Sequence, residues 1–230
     1  MNAIFWPKVR SSDGLKGDIM RIGKNCVSAR FINLLLVFLF LLFVPAGGNA
    51  SPQDEYDKVI ADCTRAIAKN SRDAEAYCGR GLAYVQKGRY DEAIEDFNKA
   101  IAINPQVDKA YLIRGLGYYK KVLYDKAIED FNKAIAIKPQ FVEALSCRGL
   151  AYYKKGLYDE AITDYTQAIA INPQSVEAYL GRGNAYDKTG RYDEAISDYN
   201  QVIAINPQSA DAYFNRGLTY HNKGRYDEAI

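Results

Sequence analysis

The sequence predicts an all-α solenoid of antiparallel helix pairs, and three observations predict it. Prolines stand at Pro105, Pro139, Pro173 and Pro207, spaced by 34 residues. Arg-Gly pairs recur with the same period at 80–81, 114–115, 148–149, 182–183 and 216–217. Tyr-Asp pairs do so from positions 56, 90, 124, 158, 192 and 226. Three independent markers in one register define a 34-residue unit, and a period of that size marks an array of stacked supersecondary units.

The unit 176–209 shows why each is two helices. Tyr179, Gly183 and Tyr186 fall at intervals of four and three, an amphipathic helical stripe. Thr189-Gly190-Arg191 interrupts it, because glycine takes up the backbone angles of a tight turn. A second stripe runs through Tyr192, Ala195, Ile196, Tyr199, Val202 and Ile203. Asp193 and Glu194 open this second helix, where carboxylates favour the positive end of the dipole. Pro207 cannot continue it, and Asn206 before the proline is biased away from helical angles. Gly183 and Ala195 are small where the two helices approach, and the tyrosines fill the space around them. One helix pair cannot bury both its faces, so the units must stack.

In chain order, Asp54–Ser71 is a second helix alone, opened by Tyr56-Asp57-Lys58-Val59-Ile60. Complete units follow at 74–107, 108–141, 142–175 and 176–209. In unit 108–141 the turn glycine is replaced by Val122. From Ala210 there is a first helix and barely one turn of its partner. The closing Gly224–Ile230 repeats Gly88–Ile94 and Gly190–Ile196, which both run on to a proline. The chain therefore reads as a fragment of a longer array, with Ala210–Ile230 expected to be the least stable part of the fold.

These motifs resemble the tetratricopeptide repeat: the period, Tyr-x3-Gly-x2-Tyr in the first helix, Ala-x3-Phe/Tyr-x2-Ala in the second and the closing proline. The resemblance covers residues 54–230 and implies a right-handed solenoid. The usual tryptophan at the fourth position is Tyr77, Tyr111, Leu145, Tyr179 or Tyr213 here.

Residues 1–50 read differently. They carry six Lys/Arg against Asp13 and Asp18, so the formal charge of +2 for the whole chain divides into +4 here and −2 in the remainder. The folded part has no basic stripe of the kind nucleic-acid binding requires. Phe31–Val44 is apolar except for Asn33, and Pro45 with Gly48 and Ala50 makes a small-residue cleavage site before Ser51. This is the layout of a secretory signal peptide. Fourteen residues fall short of the roughly 20 that span a bilayer, yet an uncleaved membrane anchor at 31–44 stays open. Initiation at Met20 instead of Met1 would give a more compact basic lead. Either way the repeats are expected outside the cytoplasm, periplasmic or secreted when cleaved.

The chemistry available is limited. His221 is the only histidine, so neither a histidine metal cluster nor a triad can be assembled, and no phosphate-binding glycine loop is present. The Asp-Glu pairs at 91–92, 159–160, 193–194 and 227–228 are explained by their helix-opening position. Cys63, Cys78 and Cys147 are an odd set without CxxC spacing and read as free thiols, a Cys63–Cys78 bridge being the alternative. The expectation is a protein that is not an enzyme by itself and needs no cofactor or metal.

Two residue sets are candidates for function. An aspartate stands eighteen residues before each arginine of the Arg-Gly pairs: Asp62/Arg80, Asp96/Arg114, Asp130/Arg148, Asp164/Arg182 and Asp198/Arg216. The expectation is a ladder in which each aspartate meets the arginine of the following unit, fixing register more than adding stability. Pairing within a unit would leave Asp62 and Arg216 over, and solvated charges are the plainer reading.

The second set follows from the resemblance, which implies a ligand groove lined by the first helices. The corresponding positions are Leu112, Leu116, Tyr119 and Lys120; Ser146, Leu150, Tyr153 and Lys154; Leu180, Asn184, Asp187 and Lys188; and Phe214, Leu218, His221 and Asn222. Only Asn184 fits the Lys/Asn/Arg clamp with which one subgroup of the resembled family holds carboxylate tails, which argues against a chaperone tail. Leucine and tyrosine with a rim of lysines suit an apolar strand or an amphipathic helix of a partner protein, with packing as the competing role of the leucines. The expected function is a scaffold or adaptor. The alternatives are the exported regulatory arm of a longer enzyme or envelope-assembly protein, and self-association through exposed solenoid ends.

Overall fold

A computed structural model of the chain describes residues 52–229; the signal or anchor segment read in residues 1–50 lies outside them. Ten α-helices follow one another: α1 Pro52–Lys69, α2 Ala74–Gln86, α3 Tyr90–Ile103, α4 Asp108–Lys120, α5 Tyr124–Ile137, α6 Val142–Lys154, α7 Tyr158–Ile171, α8 Val176–Lys188, α9 Tyr192–Ile205 and α10 Ala210–Asn222. A short 3₁₀ turn, Asp227–Ala229, comes last. There is no strand among the described residues, and none of their helices is long and apolar enough to cross a membrane. The all-α solenoid read from the sequence is the architecture found.

Each helix packs on the one before and the one after it. First helices also touch across unit boundaries: α2 with α4, α4 with α6, α6 with α8 and α8 with α10. That crowding curves the array with its first helices on the inner face.

Local chemistry sets the helix ends. Asp73, Ser175 and Ser209 cap α2, α8 and α10 by accepting the amide three residues on. After α3, α7 and α9 the chain leaves the helix at Asn104, Asn172 and Asn206, with extended backbone ahead of each proline. The same asparagine oxygens accept the amides of Gln106, Gln174 and Gln208, which closes the turn.

The turn inside each unit is left-handed. Gly88, Gly156, Gly190 and Gly224 take φ of 71–80°, and Val122 is held at 63° in the same place. The Val122 amide donates to Tyr119 O and the Leu123 amide to Tyr118 O, both at 2.9 Å, the double bond of a Schellman cap. A β-branched residue in this region is strained by roughly 1–2 kcal/mol. Val122 is also exposed, so little packing offsets the strain. Val122→Gly is therefore expected to raise the unfolding free energy by about 1 kcal/mol, net of glycine's entropy in the unfolded chain. Urea denaturation checks it, and a drop in midpoint would show that the strain is absent.

The core runs the length of the array as a column of alanines, leucines and rings: Ala93, Phe97, Ala127, Phe131, Ala161, Tyr165, Ala195 and Tyr199 are buried on the second helices. Gly183 does admit the Tyr199 ring between α8 and α9, since a Cβ there would stand 2.8 Å from it. Cys63, Cys78 and Cys147 are free thiols, without the alternative Cys63–Cys78 bridge. Burial pushes the Cys78 thiol up to about 12 and that of Cys147 higher still, which makes both poor nucleophiles.

Candidate functional site

The arginines of the Arg-Gly pairs bind aspartates, but not those expected. Arg80 pairs with Asp96, Arg114 with Asp130, Arg148 with Asp164 and Arg182 with Asp198, all within one unit. In each, Nε donates to Oδ2 and Nη2 to Oδ1 at 2.6–2.8 Å. This corrects the pairing of Asp62 with Arg80, Asp96 with Arg114, Asp130 with Arg148, Asp164 with Arg182 and Asp198 with Arg216. The cause is the close approach of the two helices of a unit. A Cβ on Gly149 would meet both the Tyr165 ring and Asp164 Cβ within 3.3 Å, so the neighbouring Arg148 and Asp164 must also meet.

The contact to the preceding unit is made by the remaining nitrogen. Nη1 of Arg80, Arg114, Arg148, Arg182 and Arg216 donates to Thr64, Asn98, Asn132, Thr166 and Asn200, respectively, two residues after each expected aspartate. Asp62 pairs locally with Arg65. Four of these guanidinium groups lie over the tyrosine that stands at the fourth position of the unit, as Arg114 does over Tyr111 at 5.5 Å. Burial raises the carboxyls of Asp130, Asp164 and Asp198 above the ordinary value, against the lowering effect of their arginines.

A second series was missed by sequence reading. Lys87, Lys121, Lys155 and Lys223 bridge to Asp57, Asp91, Asp125 and Asp193, the aspartates of the Tyr-Asp pairs of the preceding unit. The signal was a constant separation of 30 residues, broken only where Thr189 replaces the lysine. These aspartates are largely exposed, so each pair contributes roughly 0–1 kcal/mol.

The inner face is less apolar than the expected groove. Leu112, Leu116 and Leu180 are 0–2% exposed and belong to the core, and Ser146 is buried with them. Their helices are wedged between second helices on both sides, so the apolar positions turn into the stack instead of the groove. Leu150 packs half-buried on the same core. Tyr119, Lys120 and Tyr153 are half-buried, and Lys154 and Lys188 are exposed. The two tyrosine rings brace Tyr124 and Tyr158 at 5.3 and 5.4 Å between centroids. At the far end Phe214, Leu218, His221 and Asn222 are exposed, and His221 meets the Tyr226 ring edge-on.

A concavity of about 190 Å³ opens on this face between α8 and α10. From the expected groove it brings together Tyr153, Asn184, Asp187, Lys188 and Leu218; the others of that set do not line it. It adds Tyr199, Asn215 and Thr219, which sequence reading missed. Asn184 Oδ1 accepts from Tyr199 Oη at 2.8 Å and from Asn215 Nδ2 at 3.0 Å. Asp187 Oδ1 accepts from Thr219 Oγ1 at 2.8 Å and from Asn222 Nδ2 at 3.3 Å. Burial, then neighbouring Tyr158 and Asp187, raise the Tyr153 hydroxyl; burial and then Asp187 raise that of Tyr199.

The repeat register carried a signal for this patch. Asn184 stands where other units have Leu116 and Leu150; Asn215 where they have Ile113, Cys147 and Gly181; Thr219 where they have Gly117, Ala151 and Ala185. Polar residues in three otherwise apolar or small columns, all at one boundary, mark a surface built for hydrogen bonding. Among the described residues no three His, Cys, Asp or Glu side chains cluster as metal ligands would.

Residues 124–156, 150–190 and 183–224 match the family described as TPR repeat, and residues 74–107 the one described as tetratricopeptide repeat. No curated protein matches the chain. Among solved structures, one of YrrB, titled a TPR protein with an unusual peptide-binding site, is 26% identical, with a TM-score of 0.63 over 73% of this chain and 87% of that one. A structure of MamA protein is 32% identical with a TM-score of 0.64, covering 68% and 85% of the two chains. A second of MamA is 33% identical with a TM-score of 0.62, covering 65% and 87%. With its 34-residue units, stacked helix pairs and these matches, the chain belongs to the tetratricopeptide repeat family.

Proposed function

We propose that the chain is a non-enzymatic scaffold that holds an extended segment of another protein against its inner face, anchored at the polar concavity between α8 and α10. The observation that carries this reading is the hydrogen-bonding patch of Asn184, Asp187, Asn215 and Thr219 on a surface where Leu112, Leu116 and Leu180 are buried. Both bonds to the Asn184 side chain use Oδ1, so Nδ2 stays available to a peptide carbonyl. Half-buried Tyr153 offers a ring and Leu218 an apolar floor beside it. The surface thus suits a backbone with hydrogen-bonding groups to satisfy better than the apolar strand or amphipathic helix read from the sequence. The peptide-binding site of YrrB supports the same use of the fold. The basic lead, apolar core and small-residue site in residues 1–50 support a working place outside the cytoplasm, secreted or anchored.

The test is selection of random peptides displayed on phage against the full chain. Enriched peptides are then titrated into wild type and Asn184→Leu, which restores the residue of the neighbouring units. The expected outcome is about tenfold weaker binding to the variant, the loss of one or two hydrogen bonds, with an unchanged circular dichroism spectrum. Equal affinity for a folded variant sinks the site, and no enrichment of any peptide sinks the scaffold reading.

A further inference from the structure

The carboxylate in the concavity differs from those of the two ladders. On the second helices, Asp96, Asp130, Asp164 and Asp198 each hold an arginine, and Asp57, Asp91, Asp125 and Asp193 each hold a lysine. Half-buried Asp187 forms no ion pair with a lysine or arginine among the described residues, and its hydrogen bonds come only from the neutral Thr219 and Asn222. Its column is otherwise Val85, Tyr119, Tyr153 and His221, so the repeat itself does not call for an acid here.

The acid faces a prepared environment. Tyr153 and Tyr199 line the same concavity, and the Asp187 charge pushes both hydroxyls up, so its field reaches across the space. A half-buried carboxylate lining this concavity attracts a cation by its charge. Lys188 is exposed on the rim and makes no ion pair with Asp187 among the described residues. Asn184 and Asn215 provide neutral contacts around the charged one.

We propose that Asp187 receives the basic side chain, lysine or arginine, of the peptide docked in this concavity. The assignment rests on the peptide-docking reading above and adds to it the charge of the residue bound. Thr219 and Asn222 act as positioning residues that hold the carboxylate toward the ligand. A lysine or arginine entering here gives Asp187 the kind of partner that the paired aspartates of the second helices already have.

Three probes decide it: acetyl-Gly-Arg-Gly-amide, its citrulline analogue with nearly the same shape and no charge, and acetyl-Gly-Glu-Gly-amide. Each is titrated into the full chain and followed by the amide resonances of Tyr153, Asn184, Asp187 and Thr219. The arginine peptide is expected to bind about tenfold tighter than the citrulline one, with the glutamate peptide weaker still. In Asp187→Asn, which keeps an oxygen for Thr219 and Asn222, the preference for arginine should vanish while citrulline binds as before. Equal binding of arginine and citrulline, or a preference for glutamate, overturns the charge assignment and leaves peptide docking standing. If no probe moves these resonances, both readings fall.

Discussion

Arg148→Ala is expected to lower the unfolding free energy by about 3 kcal/mol or more, the cost of leaving a buried charge without its partner. Its partner Asp164 is 3% exposed and accepts both nitrogens of the guanidinium fork, at 2.8 and 2.6 Å. Truncation removes the counter-ion and leaves the carboxylate in place, which is the costly way to break such a pair. Asn132→Ala is the control. It deletes only the bond from Arg148 Nη1 to the preceding unit and should cost about 1 kcal/mol. Urea denaturation of the two variants therefore weighs the pair within the unit against the contact between units. A loss below about 0.5 kcal/mol for Arg148→Ala would place the arginine among ordinary surface charges.

The deficit should depend on pH. Burial already raises the Asp164 carboxyl above its ordinary value despite Arg148, and removing Arg148 raises it further. A carboxyl with a raised pKa in the folded state binds its proton more tightly there than in the unfolded chain. Its ionised form is thus a burden that is full above the folded pKa and is relieved as pH falls through it. The gap between Arg148→Ala and wild type is expected to be widest near neutrality and to shrink toward pH ~4, near the unfolded carboxylate value. A gap that widens on acidification would contradict the assignment.

Gly181→Val is expected to cost about 3 kcal/mol, at the upper end for overpacking a core. Gly181 lies on α8 against the ring of Tyr165 from the preceding unit, and a Cβ there would stand 2.3–2.8 Å from three ring atoms. The ring is 3% exposed and cannot swing away, so either helix α8 or the unit boundary must shift. The test of cause is coupling. Tyr165→Ala alone should cost about 3–5 kcal/mol through its cavity, yet the double variant should cost clearly less than the sum. Additive losses would mean that the glycine is needed for some reason other than the ring.

The turns and helix ends were legible in the sequence because they depend on a few adjacent residues. The same holds for the strained Val122, which is visible as the one unit without its turn glycine. The site was legible only in part. Asn184 and Asp187 are placed in the groove by the resemblance to the repeat family, but Tyr199 belongs to a second helix and Asn215 and Thr219 to columns that elsewhere pack. They reach the concavity because α8 and α10 lie side by side across a unit boundary.

By itself the sequence determined the unit, its two helices, the turn between them and the need to stack, since a period of 34 residues with two amphipathic stripes has no other way to bury its apolar faces. Tertiary structure alone decided which aspartate each arginine holds and which leucines remain at the surface. Every arginine of the Arg-Gly pairs from Arg80 to Arg182 has one aspartate sixteen residues ahead and another eighteen behind, and periodicity cannot rank them. The glycine beside each arginine lets the ring beside the forward aspartate press against it, and that approach within the unit settles the partner. The same close packing draws Leu112, Leu116 and Leu180 into the stack and leaves asparagine, aspartate and tyrosine to face whatever the array binds.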